Sequence, residues 1–86
     1  MLNVYVIDMR KLTLKESKEV SEYIQSTAFL FDFKFSENKL TFAIAYIEES
    51  DRALFERELP HPCPIKDVTG YQNLQDLNME TVFDRQ

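Results

Sequence analysis

The chain has 86 residues, 44% of them hydrophobic, with seven Phe, four Tyr, three Pro and a single Gly. This suffices for one compact domain with a small core, and it excludes a linker or a disordered segment. The formal net charge of −5 disfavours nucleic acid as a partner and favours a protein with a basic surface.

The first predicted element is a strand at Val4-Tyr5-Val6-Ile7, ending near Asp8. Thr13-Leu14-Lys15-Glu16 then reads as a capping box, in which the Thr hydroxyl accepts from the Glu16 amide and the Glu16 carboxylate reaches back. A helix over residues 14–26 follows. Its apolar stripe, Val20, Tyr23, Ile24 and then Ala28, is thin enough to cover a sheet on one side only.

FLFDFKF and LTFAIAYI, within residues 29–47, both alternate with period two around the polar link Ser36-Glu37-Asn38-Lys39. They predict a β-hairpin. A two- or four-residue loop centred on Glu37-Asn38 pairs Phe35 with Leu40, Phe33 with Phe42, Phe31 with Ile44 and Phe29 with Tyr46. All eight then share one face, and Asp32, Lys34, Thr41, Ala43 and Ala45 share the other. In this register Phe31 and Phe33 are buried, and Asp32 and Lys34 are exposed.

Ser50 is the expected N-cap of a short second helix, with Asp51 complementing its N-terminus and Leu54, Phe55 and Leu59 on its buried face. Pro60 stops it, and His61-Pro62-Cys63-Pro64 is a stiff extended link. Ile65 to Tyr71 reads as a weak last strand broken by Gly70. Residues 72–86 carry Leu74, Leu77, Met79, Val82 and Phe83 on a polar background, a short docking helix or a tail.

The order β-α-β-β-α-β predicts an α+β fold of ferredoxin-like split βαββαβ type. A four-stranded antiparallel sheet carries two helices on one face, packed on the aromatic side. The chain is one domain, 1–86, with a core over 1–71 and a C-terminal tail over 72–86. No apolar run approaches the roughly 20 residues of a membrane span. The N-terminal residues MLNVYVIDMRKL lack signal-peptide order, and one Cys cannot form an internal disulfide. These features point to the cytoplasm.

Charge is unevenly placed. Residues 1–39 hold six Lys/Arg and six Asp/Glu; residues 40–86 hold four and nine, so the whole excess lies in the second half. Glu48, Glu49, Asp51, Glu56 and Glu58 are its densest part. They are the candidate binding residues for a basic protein partner, and in the sharpest form they mimic phosphates. Glu56 and Glu58, two apart on a helix, do not share a face, which weakens that form. No cofactor and no metal site is expected. His61 and Cys63 are the sole His and Cys, too few for zinc ligation from those types, and no third group orients them as a catalytic pair. With one Gly there is no glycine-rich phosphate loop. These absences favour a protein that is not an enzyme.

Two resemblances supply alternatives. Val4-Tyr5-Val6-Ile7-Asp8-Met9 resembles the short motif on the first strand of the RNA-recognition motif family. Thr41-Phe42-Ala43-Ile44 partly resembles that family's longer motif. The resemblance implies base stacking on Tyr5 and Phe42. It departs at Leu40 and Thr41, where Lys/Arg and Gly are expected, and at Ile44, where the second aromatic would stand. Asp8 at the end of the first strand is similar to the metal-binding Asp of small CRISPR-associated nucleases with a ferredoxin-like fold, which bind metal across a dimer interface. A turn residue capping the backbone at Arg10 or Lys11 is the simpler role for Asp8.

The reading is therefore a small acidic protein-interaction module that blocks or adapts a partner protein. Inhibitors and adaptors encoded by phages and mobile elements are of this class. The alternatives are an RNA-binding domain and a metal-dependent nuclease. A homodimer is expected, closing the second sheet face or pairing edge strands.

Overall fold

A computed structural model of the chain describes residues 1–71, 74 and 77–84. Its elements are β1 (Leu2–Asp8), α1 (Leu14–Thr27), β2 (Leu30–Ser36), β3 (Lys39–Glu48), α2 (Arg52–Arg57), β4 (Ile65–Asp67) and α3 (Met79–Asp84). A 3-10 turn, Glu49–Asp51, joins β3 to α2. The fold is α+β, with an antiparallel sheet in the order β2-β3-β1-β4.

Local chemistry accounts for the starts and stops. Thr13 Oγ1 accepts from the Glu16 amide at 3.1 Å, and the Glu16 carboxylate accepts from the Thr13 amide at 2.9 Å, so the capping box is complete. α1 buries Ser17, Val20 and Ile24. The β2–β3 hairpin turns on Glu37 (φ 52°) and Asn38 (φ 65°), the two left-handed residues of a type I′ turn. Ser36 pairs with Lys39 and Phe35 with Leu40 across it, as the even loop requires.

Beyond that point the register departs from the sequence expectation. The ladder slips by one residue beside Lys34 and Phe35, so Phe33 faces Ala43, Phe31 faces Ala45, Lys34 faces Phe42 and Asp32 faces Ile44. Thr41 is the extra residue. Its hydroxyl donates to the Lys34 carbonyl at 3.1 Å, and its carbonyl accepts from the Met9 amide at 2.9 Å. A one-residue bulge sends every later side chain of β3 to the opposite face. Phe42, Ile44 and Tyr46 are therefore not opposite Phe33, Phe31 and Phe29, and the single eight-residue aromatic face does not form.

Two apolar layers result instead. Under α1 and α2 lie Tyr5, Ile7, Met9, Val20, Ile24, Ala43, Ala45, Ile47 and Phe55, all buried. The small Ala43 and Ala45 let α1 approach the sheet. On the second face Val6, Phe42, Ile44, Val68 and Met79 are buried, with Leu74, Leu77 and Phe83 packed on them. Leu74, Leu77, Met79 and Phe83 cover this second face, while Ala43 and Ala45, expected to meet water, lie under the helices instead.

The Phe residues of β2 are also corrected. Phe31 is 43% exposed and Phe29 and Phe35 are each 65% exposed, while Phe33 is half-buried. β2 is an edge strand, and of its residues the α1-side core reaches Phe33. Asp32 and Lys34 are exposed as expected. α2 buries Phe55, Leu59 is half-buried beyond it, and Leu54 is exposed. Ser50 is inside the 3-10 turn rather than capping α2. β4 is shorter than expected, ending at Asp67, whose carboxylate accepts from the Thr69 amide at 2.8 Å and turns the chain.

Candidate functional site

The five candidate carboxylates lie along the segment that runs from the end of β3 through the 3-10 turn to the end of α2. Glu48 closes β3 opposite Leu2. The Glu49 amide donates to the Met1 carbonyl at 3.0 Å, and its carboxylate accepts from the Asn3 amide side chain. Asp51 ends the 3-10 turn, Glu56 lies on α2, and Glu58 follows its last turn. All five are exposed.

Arg52 is the cation at their centre. Its guanidinium stands 4.0 Å from Glu49, 3.9 Å from Glu56 and 3.8 Å from Asp67. Such exposed contacts are weak, roughly 0–1 kcal/mol each. Glu48, Asp51 and Glu58 make no ion pair among the described residues. Sequence reading passed over Arg52, although its spacing of three from Glu49 and four from Glu56 signals those contacts. It also passed over Asp67, which arrives through the β1–β4 pairing of Tyr5 with Asp67 and carries no local signal.

The lysines of the first half lie elsewhere. Lys15, Lys18 and Lys39 rim a groove of about 1140 Å³ between α1 and the β2–β3 hairpin, floored by Leu12, Phe33, Phe35 and Leu40. Lys39 opens the ten-residue β3 that Glu48 closes. The acidic and basic ends of that strand are thus separated by about 30 Å.

Tyr5 and Phe42 are on opposite faces. Tyr5 is 2% exposed beneath α2, its ring centroid 6.2 Å from that of Phe55. Its buried hydroxyl has no hydrogen-bond partner among the described residues. Phe42 is 4% exposed under α3, stacked on Phe83 at 6.0 Å, with the Arg10 guanidinium 4.9 Å from its ring centroid. The β1–β3 register accounts for the separation: Phe42 pairs with Asp8, three residues along β1 from Tyr5 and therefore on the other face. In this arrangement the pair presents no shared stacking platform.

Asp8 is a turn residue bound to Arg10. Its Oδ1 accepts from the Arg10 amide at 3.0 Å and from Arg10 Nε at 3.0 Å, and its Oδ2 accepts from Nη2 at 2.8 Å. The same guanidinium takes both oxygens of Asp84, at 2.8 and 3.0 Å, tying α3 to the end of β1. A carboxylate so occupied is poorly placed to ligate a metal. No group of three or more His, Cys, Asp or Glu with metal-site geometry occurs among the described residues.

This bridge predicts acid sensitivity. Hydrogen bonds from Arg10 hold the Asp8 carboxyl below the usual carboxylate range despite its burial, and Arg10 lowers that of Asp84 in the same way. A carboxyl with a depressed folded pKa stabilises fully above its unfolded value of about 3.9 and loses that contribution as pH falls through the folded value. Denaturant midpoints should therefore fall below about pH 4. They should fall less steeply in Arg10→Met, which lacks the bridge. The same acid slope in both proteins would break the link.

His61 and Cys63 do not form a catalytic pair. The thiol donates to the His61 backbone carbonyl at 3.2 Å, while the ring reaches Glu19 at 2.8 Å and Glu16 at 3.7 Å on α1. Burial pushes the Cys63 thiol up to about 11, so almost no thiolate exists at neutral pH. The link fastens to α1 through His61.

No helix among the described residues is long and apolar enough to cross a membrane. No family model matches the chain, and the searches of curated proteins and of solved structures gave no match either.

Proposed function

We propose that this chain is a non-enzymatic protein-interaction module of ferredoxin-like βαββαβ arrangement. It binds a protein with a basic surface through its acidic pole and blocks or adapts that partner. The observation that carries this reading is the segregation of charge. Glu48, Asp51 and Glu58 stand exposed and without an ion pair among the described residues, and Glu48 is separated from Lys39 by the length of β3, about 30 Å. A pole of one sign steers encounter with a surface of the other and sets the rate of association more than its lifetime. Arg52 stands among Glu49, Glu56 and Asp67, so the pole is a mixed surface with acidic excess rather than a run of phosphate mimics.

Phage- or mobile-element-encoded inhibitors of nucleic-acid-binding proteins remain the sharpest version of this proposal. The test is capture on the immobilised full chain from the cells that make it, with identification by mass spectrometry. Partners of high isoelectric point, released as salt screens the pole, are expected. Retention of single-stranded RNA in a gel-shift assay would turn the reading to the RNA-binding alternative.

A further inference from the structure

The two outer strands of the sheet differ sharply. β4 spans three residues and follows Pro60, Pro62 and Pro64, the short and proline-flanked form that resists pairing. β2 spans seven residues without proline and leaves Phe31 and Phe35 exposed beside the groove under α1. An unpaired edge of that length with aromatic side chains attracts another strand.

Its sequence selects the strand it attracts. We propose that β2 pairs antiparallel with β2 of a second copy about a two-fold axis through Phe33, joining two sheets into one. In this register Phe33 faces Phe33 of the second copy, and Phe31 faces its Phe35. Asp32 faces Lys34 of the other chain, and Lys34 faces its Asp32.

One face of the seam thus carries three aromatic cross-strand pairs, and the other carries two opposite-charge pairs. A shift by two residues in either direction sets Asp32 against Asp32 or Lys34 against Lys34, which repel. A shift by one sets Phe against charge. Within one copy Lys34 Nζ stands 2.9 Å from Asp32, an exposed contact that exchanges for the two across the seam.

Backbone parity agrees. The type I′ turn closes on Ser36 and Lys39, and antiparallel ladders alternate. Lys34 and Asp32 therefore direct their amides to β3, while Phe35, Phe33 and Phe31 direct theirs outward. Those are the residues that meet in the Phe33-centred register. Pairing also carries the second copy's Phe row toward the apolar groove floor of Phe33 and Phe35. The interface is isologous, as a two-fold dimer requires. It lies away from the acidic pole, so it stands or falls independently of the function proposed above.

Charge reversal tests it. Sedimentation equilibrium of the full chain at tens of micromolar should give twice the 10.2 kDa protomer mass. Asp32→Lys sets like charges at both seam pairs and should weaken dimerisation about tenfold or more, as should Lys34→Asp. An equimolar mixture of the two variants restores opposite charges at both positions and should dimerise as a heterodimer. The double variant Asp32→Lys/Lys34→Asp should recover self-association. Both positions are exposed in the protomer, and circular dichroism should show an unchanged fold for each variant. A monomeric wild-type chain, single reversals that dimerise like wild type, or a mixture that stays monomeric would each overturn the proposal.

Discussion

Phe55→Ala should cost about 3–5 kcal/mol of stability, the range of large aromatic truncations in cores. Phe55 is 2% exposed and is the one buried residue of α2. Its ring stacks on Tyr23 at 5.3 Å and on Tyr5 at 6.2 Å, and its carbonyl accepts the Tyr23 hydroxyl at 2.9 Å. A six-residue helix has no stability of its own, because nucleation outweighs the few hydrogen bonds it closes. This ring is the one buried side chain that anchors α2. The loss is a large share of the roughly 5–15 kcal/mol that stabilises a domain. The neighbouring Leu54→Ala, at 48% exposure, should change stability by less than about 0.5 kcal/mol. Denaturant melts compare the two directly, and equal midpoints would show that α2 does not dock as described.

Phe42→Ala should be comparably damaging, at about 3–5 kcal/mol, and for a different reason. Phe42 joins β3 to the C-terminal segment: Phe83 stacks on one side of its ring, and the Arg10 guanidinium, bridged to Asp84, approaches it as well. Its removal opens a void beneath α3. Hydrogen exchange should therefore show α3 amides losing protection ahead of β1 and β3. Phe31→Ala, at an exposed edge position, should leave α3 protection unchanged. Faster α3 exchange in Phe31→Ala than in Phe42→Ala would reverse the assignment of the two faces.

The contrast between Phe31 and Phe42 shows where the sequence was legible. The Thr13–Glu16 capping box, the first strand, the element order and the even turn at Glu37-Asn38 are all written in local residue chemistry. Each is present in the structure. The division of the hairpin into two faces was not legible, because a bulge at Thr41 adds one residue without changing the alternating pattern. Exposure of the β2 phenylalanines follows from strand order, which a pattern of alternation does not encode. The acidic residues were legible as a group. Arg52 and Asp67 enter that group through a helical turn and a strand pairing, and only the former has a local spacing to signal it. The separation of Tyr5 from Phe42 likewise follows from register rather than from either motif.

The central claim is that the acidic pole does the binding, and association kinetics test it most directly. Glu49 is engaged with Asn3 and Met1, so the informative variant reverses Glu48, Asp51 and Glu58 together to Lys. These three have no ion pair among the described residues, and their reversal should leave the melt nearly unchanged. Against the captured partner, the variant should associate at least about tenfold more slowly at low salt, with a smaller change in dissociation. The wild-type rate should fall toward the variant's as salt shortens the screening length to below about 8 Å. An association rate that is equal for the two proteins at low salt would contradict the account and leave the acidity of this pole as solubility charge.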